Sequence, residues 1–224
     1  MDDMKKEDAR QQLDRRDFMG LAAAVAAIGV GTALPVATAG AAPATDFGRW
    51  LDSIKGKYKV VLDVREPNDG MGIAWGWVYL FTGPQAYDVK DVAPGTVMVF
   101  RHNAIPLVLA DSMWNKYGLG AYFKINDPAT SAPALRNPYY ATPVDPGVPD
   151  MALKNHIERG VKVVACDMAI HYYSGQIAQA QGLKHEDVKA EWMAATLPGI
   201  AHAPSGVVAC QGAVAKGCSY VFAG

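Results

Sequence analysis

Three short runs of apolar, mostly β-branched residues constrain this chain most: "YKVVLDV" (58–64), "GTVMVFRH" (95–102) and "VKVVAC" (161–166). Their cores, "KVVLDV", "TVMVF" and "VKVVA", are continuous rather than alternating, the pattern of strands buried on both faces. Such strands belong to parallel sheets, and helical segments separate them here. "MALKNHIERG" (151–160) is stopped by Gly160, and "MAIHYYSGQIAQAQG" (168–182) ends at Gly182. "EDVKAEWMAATL" (186–197) carries acids in its first turn, where the helix dipole favours them. "GIAHAPSG" then gives a brief strand and a turn. "VVACQGAVAKG" is a helix capped by Ser205 and closed by Gly217, and "CSYVFA" (218–223) is a last strand. Strands alternating with helices at this spacing predict an α/β domain with a mainly parallel sheet over 58–224, after a lead-in at 45–57.

Other stretches are less regular. "MGIAWGWVYLF" (71–81) is apolar almost all round. We read it as a helix, although Trp, Val, Tyr and Phe also favour strands. With no polar face it has to be buried in the core or between subunits. The simplest place for Trp75, Trp77, Tyr79 and Phe81 is therefore core or interface, with a ligand box second. "AIPLVLADSMW" (104–114) reads as a helix with Pro106 in its first turn, where the missing N–H costs nothing. Residues 116–150 are rich in Pro, Gly and Tyr and too long for an ordinary connection. They form a lid, an interface segment or a surface excursion.

The first forty-odd residues have the layout of an export signal. Arg15 and Arg16 precede Asp17 and Phe18, an Ala/Gly-rich apolar run follows, and A-x-A cleavage options end at Ala39, Ala42 or Ala44. R-R-x-F resembles the twin-arginine signal, with Asp14 where that signal has Ser or Thr. A membrane anchor is the competing reading, since Gly20–Ala39 approaches the ~20 residues that span a bilayer. Gly29, Gly31 and Pro35 interrupt it, so we expect cleavage and no stable membrane insertion afterwards. The resemblance implies that the protein folds before export to the periplasm or outside. Beyond residue 44 remain 16 basic and 16 acidic residues and all three cysteines, Cys166, Cys210 and Cys218. In an oxidising compartment an odd number leaves one thiol free or paired between chains. Cys210 and Cys218 are eight apart, across a helix and the next strand, a span that often exceeds what a bridge tolerates.

Composition and motifs exclude several functions. A formal charge of −1 and no basic stripe argue against nucleic acid. G-x-G-x-x-G and the phosphate-loop pattern are absent, and so are C-x-x-C, H-E-x-x-H and C-x-x-C-H. No cofactor and no zinc site are expected.

In open α/β sheets ligands bind beyond the carboxyl ends of the strands. Those ends carry Asp63, Arg65 and Asn68, then His102 and Asn103, then Cys166 and Asp167, then Pro204 and Ser205. Cys166 precedes a helix whose amides stabilise a thiolate; the bland alternative is a small buried side chain, since Cys is among the most buried residue types. His171, five positions on, either polarises that thiol, joins it and His102 on a soft metal, or is an ordinary helix histidine. His202 lies near the same edge. Ser205 is an N-cap, and the amides it caps could also hold an anion.

"GVKVVAC", a helix, an acidic helix and then "GIAHAPSGVVACQGAVAKGCSYVFA" resemble the C-terminal half of the DsrE/DsrF-like family. There a strand of the form G-V-x-x-x-x-C precedes a variable helix, a P-S-G-V turn opens another, and a G-x-x-Y strand ends the domain. "VMVFRHNAIPLVL" is similar to the family's strand ending in His-Gly, with Asn103 in place of that Gly. The resemblance covers roughly 58–110 and 150–224, and residues 116–150 are an insertion. It implies a flavodoxin-related three-layer fold, trimers or hexamers, and sulfur handling, with a persulfide on the thiol at the position of Cys166. The leading functional expectation is thus thiol-based binding or transfer of a small sulfur compound at Cys166, in a pocket shaped by Asp63, Asn68, His102, Asn103, His171 and Ser205. The rival is a non-catalytic binding or homo-oligomeric assembly module, and a metal-binding accessory protein is third.

Overall fold

The apolar runs become the middle of a five-stranded parallel sheet in order β4-β3-β2-β1-β5. This computed structural model describes residues 46–224; the expected export segment, 1–44, lies outside the described residues. The strands are β1 Val60–Val64, β2 Thr96–Phe100, β3 Lys162–Cys166, β4 Ile200–Ala203 and β5 Ser219–Phe222. The helices are α1 Asp46–Asp52, α2 Met71–Tyr87, α3 Asp111–Tyr117, α4 Leu119–Phe123, α5 Leu153–Arg159, α6 Asp167–Gln181, α7 His185–Ala194 and α8 Gly206–Ala215. β1 and β2 are buried throughout, as their unbroken apolar sequences require.

The order of the strands decides which face each helix covers. From β1 to β4 every crossover moves one place in the same direction, so right-handed connections put their helices on one face. Ile73, Leu80, Trp114, Leu153, Ile170, Ile177 and Trp192 pack there against Leu62, Met98, Phe100 and Val163. The return from β4 to β5 runs the other way across the whole sheet, so α8 lies on the opposite face. There α8 and α1 cover Val61, Val97, Val99 and Val164 through Ala209, Cys210, Ala213, Trp50 and Leu51. The result is the three-layer architecture expected. A flavodoxin-type sheet fills the place beside its first strand with its second, whereas here the last strand takes it.

Two helices differ from expectation. α2 continues through Gly83-Pro84 to Tyr87. A proline inside a helix removes one backbone donor, and the Leu80 carbonyl it would have faced accepts from Arg159 Nη2 at 3.1 Å instead. α2 is also not enclosed: Trp75 is 48% and Phe81 55% exposed, with Val78 beside them. The single helix expected over 104–114 is a 3-10 turn, His102–Val108, followed by α3. Ala104 to Val108 are all buried, so the segment is a plug in the core rather than an amphipathic helix. Leu109 then extends to bridge Thr196.

Residues 116–150 contain α4 and otherwise irregular chain, which buries Leu119, Ile125, Ala134 and Tyr139 in the core and Asn137 as its polar anchor. Asn137 Nδ2 donates to the carbonyls of Leu107 (2.8 Å) and Leu109 (3.1 Å), and its Oδ1 accepts from the amides of Tyr139 and Tyr140. The excursion therefore packs onto the 3-10 plug. Gly120 lets it approach α4, because a Cβ there would lie 2.2 Å from the Ala134 carbonyl oxygen. Among the described residues no helix is long and apolar enough to cross a membrane. Backbone cannot yield as a flexible side chain can, so Gly120→Ala is expected to cost about 1–3 kcal/mol. Urea unfolding of the two proteins measures the difference, and an unchanged midpoint would refute this account of the anchor.

Candidate functional site

Helices leave β3 and β4 for opposite faces, α6 to one and α8 to the other. That makes the carboxyl ends of these two strands the topological switch point, where open α/β sheets form their crevice. Cys166 lies there, paired in register with Ala203. It is the N-cap of α6, and its Sγ accepts from the Ala169 amide at 3.3 Å. The thiol is 6% exposed and joins the core beneath α6. Beside it His202 Nδ1 lies 2.6 Å from Asp167 Oδ1, so the first residue of α6 holds an imidazole from β4. Ser205 is the N-cap of α8 and accepts from the Val208 amide at 3.2 Å.

The other rim residues divide into separate groups. Asp63, 2% exposed, receives Arg101 Nε at 2.7 Å and Nη2 at 2.8 Å, and the Tyr220 hydroxyl donates to it at 2.6 Å. Burial pushes its carboxyl up, but the Arg101 and Tyr220 hydrogen bonds outweigh burial and hold it below the ordinary carboxylate range. The adjoining Cys210 thiol is pushed up to about 12 by burial first and then by the Asp63 carboxylate, with Cys166 close enough to add to the shift. Asp63 was expected to face a pocket; its oxygens are instead committed to Arg101 and Tyr220.

His102 and Asn103 do come together, on a carboxylate the sequence reading passed over. His102 Nδ1 lies 3.2 Å from Glu66 Oε1, and Asn103 Nδ2 donates to Glu66 Oε2 at 2.7 Å. Tyr173, from α6, donates to Asn103 Oδ1 at 2.5 Å, and its ring meets His102 edge-on. Phe123 of the insertion packs against the same tyrosine, with ring centroids 4.9 Å apart. His102 and Asn68 adopt left-handed backbone, φ 50° and 37°, conformations uncommon outside glycine. Asn68 opens the 3-10 turn Asn68–Gly70, whose Gly70 lies against Tyr139 and Val144.

His171 takes another direction. Its ring lies 4.6 Å from that of His185 on α7, whose Nε2 donates to the His171 carbonyl at 3.0 Å. Burial, then His185 and Lys189, keep His171 below the ordinary histidine value. All three cysteines are free, and among the described residues no group of three or more His, Cys, Asp or Glu is placed to hold a metal.

Reading along the chain missed Glu66, Arg101, Tyr173 and Tyr220. Strand alternation could have supplied Arg101, two residues beyond Val99 on the face shared with Asp63; Tyr173 had no local signal. No protein-family model, curated protein or solved structure matches the chain.

Asn at 63 would leave the Arg101 guanidinium partly buried without its counter-charge. Asp63→Asn is expected to lower stability at pH 7 by about 3 kcal/mol, the low end for a broken buried pair because Arg101 is partly exposed. The Asp63 value is depressed in the fold, so its contribution is complete above the unfolded carboxyl value near ~4 and is lost as pH falls through the folded value. The gap between wild type and variant should therefore narrow below about pH 4. Urea unfolding across that range tests this, and a gap that does not vary with pH would contradict it.

Proposed function

We propose that the chain is an exported DsrE-like protein that binds or transfers reduced sulfur at Cys166. The observation carrying this reading is a thiol at the switch point of a parallel sheet, capping a helix whose Ala169 amide points at its sulfur. A helix N-terminus favours negative charge, and both a thiolate and the terminal sulfur of a persulfide carry it. Asp167 and His202 supply polar neighbours, and Tyr173, Asn103, Glu66 and His102 form a second hydrogen-bonded chain along the rim. With little of the thiol exposed, the matching reagents are small donors of sulfane sulfur rather than a protein-bound sulfur: polysulfide, which leaves one sulfur shorter, or thiosulfate, which leaves as sulfite. Export in a folded state by the twin-arginine route places this chemistry in the periplasm or outside.

Incubating the full chain with polysulfide should add one sulfur atom, seen by intact mass spectrometry and removed by a reducing thiol. Cys166→Ser should abolish the adduct, while Cys218→Ser keeps it. Sulfur loading that survives in Cys166→Ser refutes the assignment.

An assembly role has its own support in α2. That helix has no charged residue over 17 positions, and Trp75, Val78 and Phe81 form an exposed stripe along it. Contiguous exposed aromatics of this kind mark interaction surfaces. The occupant proposed is a second copy of the chain, which makes the protein a homo-oligomer. Sedimentation velocity should find an oligomer for the wild type and a monomer for Trp75→Glu combined with Phe81→Glu. A wild-type monomer, or a variant that stays assembled, would refute the use of this face.

A further inference from the structure

At the amino-terminal end of the sheet, opposite the end that carries Cys166, lies a groove of about 350 Å³. Lys57, Tyr58, Lys59, Tyr79, Tyr87 and Val221 line it. The five-residue strands between are roughly 16 Å long, so the groove is separate from the thiol. Its volume falls within the range of small-molecule pockets, ~300–1,000 Å³.

The lining combines stacking surfaces with uncompensated positive charge. Tyr58 and Tyr87 stack with centroids 4.1 Å apart and planes within 10°, and Tyr79 leans on Tyr87 at 6.5 Å and 58°. Lys57 Nζ lies 5.0 Å from the Tyr58 centroid, and Lys59 Nζ donates only to the Lys216 carbonyl, at 2.9 Å. Two nearby carboxylates are already engaged, Asp52 by Lys216 and Asp91 by Arg159. Neither Lys57 nor Lys59 forms an ion pair among the lysine pairs of the described residues. Buried Val60 adds an apolar surface, and exposed Val221 belongs to the edge strand. A ligand that satisfies both halves of this lining needs a flat π-face for the tyrosines and a negative group for the lysines.

We propose that this groove binds a small planar aromatic anion, such as an aryl carboxylate or aryl sulfonate, with its ring on the tyrosine wall and its charge between Lys57 and Lys59. The site is independent of the sulfur chemistry at Cys166 and draws on different residues.

Calorimetric titration of the full chain with 2-naphthalenesulfonate tests the proposal, because this probe is planar and stays charged at every usable pH. Tyr87→Ala and Lys57→Gln should each weaken binding about tenfold, the size of one good aromatic or charged contact. Both residues are exposed, so the fold should persist, and circular dichroism verifies it. The uncharged ring 2-naphthalenemethanol should bind more weakly than the sulfonate, and methanesulfonate should not bind. Leu135→Gln, at an exposed position outside the groove lining, should leave the affinity unchanged. Absence of naphthalenesulfonate binding overturns the proposal. So does affinity that is insensitive to both variants, equal affinity for the uncharged ring, or loss of binding in Leu135→Gln.

Discussion

A single carboxylate holds the carboxyl edge of this sheet together. Asp63 lies in β1, Arg101 follows β2, and Tyr220 belongs to β5, so one ionic cluster ties three neighbouring strands. A carboxylate this buried is stable only when paired and hydrogen-bonded, and both oxygens are used. The same cluster seats α8. Gly206 lies against the Arg101 side chain, where a Cβ would come within 2.6 Å of the Arg101 Cβ. Among the described residues α8 and α1 alone cover that face, so the position of the α8 N-terminus depends on the pair. Within the cluster Asp63 and Arg101 are each other's hydrogen-bond partners through both carboxylate oxygens.

What the sequence made legible follows from the range of each interaction. The unbroken runs at β1, β2 and β3 are local facts about burial, and they placed the sheet. Gly160, Gly182 and Ser205 are local as well, and each ends or caps its helix where expected. α2 outran its reading because the proline penalty at Pro84 is offset by Arg159, a residue 79 positions from Leu80. The same holds for 104–114, where complete burial and the bridge from Leu109 to Thr196 replaced a regular helix. At the rim, the rule that ligands meet strand ends located Cys166, His102 and Asn103, but not their partners. Glu66 and Tyr173 reach Asn103 from different elements, and nothing in the local pattern of either residue announces it. His171 is near Cys166 along the chain, and its ring meets His185 on α7, a contact between helices that no local pattern signals.

The unequal covering of the two faces explains the exposed surface. Among the described residues α8 spans its face with α1 alone, and β5 is reached last and left at the edge. All four of its residues are exposed, among them Tyr220, Val221 and Phe222. α2, packed over β1 beside that edge, turns its uncharged outer side to solvent. It also runs antiparallel to β1, so its start lies toward the end that carries Cys166 and its finish, at Tyr87, lines the tyrosine groove. One helix thus borders both ends of the sheet. A partner laid along its outer stripe would touch the surroundings of each without lying over the switch point, which is built by β3 and β4 on the far side of β2.

The limited exposure of Cys166 bears on which chemistry suits it. A thiol that must accept a bulky acceptor or a protein partner needs an open approach, and a sulfur capping α6 within the core does not offer one. A cargo of one sulfur atom asks for less. The added atom extends the side chain by a single bond, toward amides that already favour negative charge. On the proposed reading, burial then works for the bound state by keeping bulk water from the terminal sulfur. Cys210 cannot readily supply the rival thiolate, because burial and the neighbouring Asp63 carboxylate hold its thiol protonated. On the proposed reading, the ion pair that orders the fold thereby also leaves Cys166 rather than Cys210 to carry the sulfur at this edge.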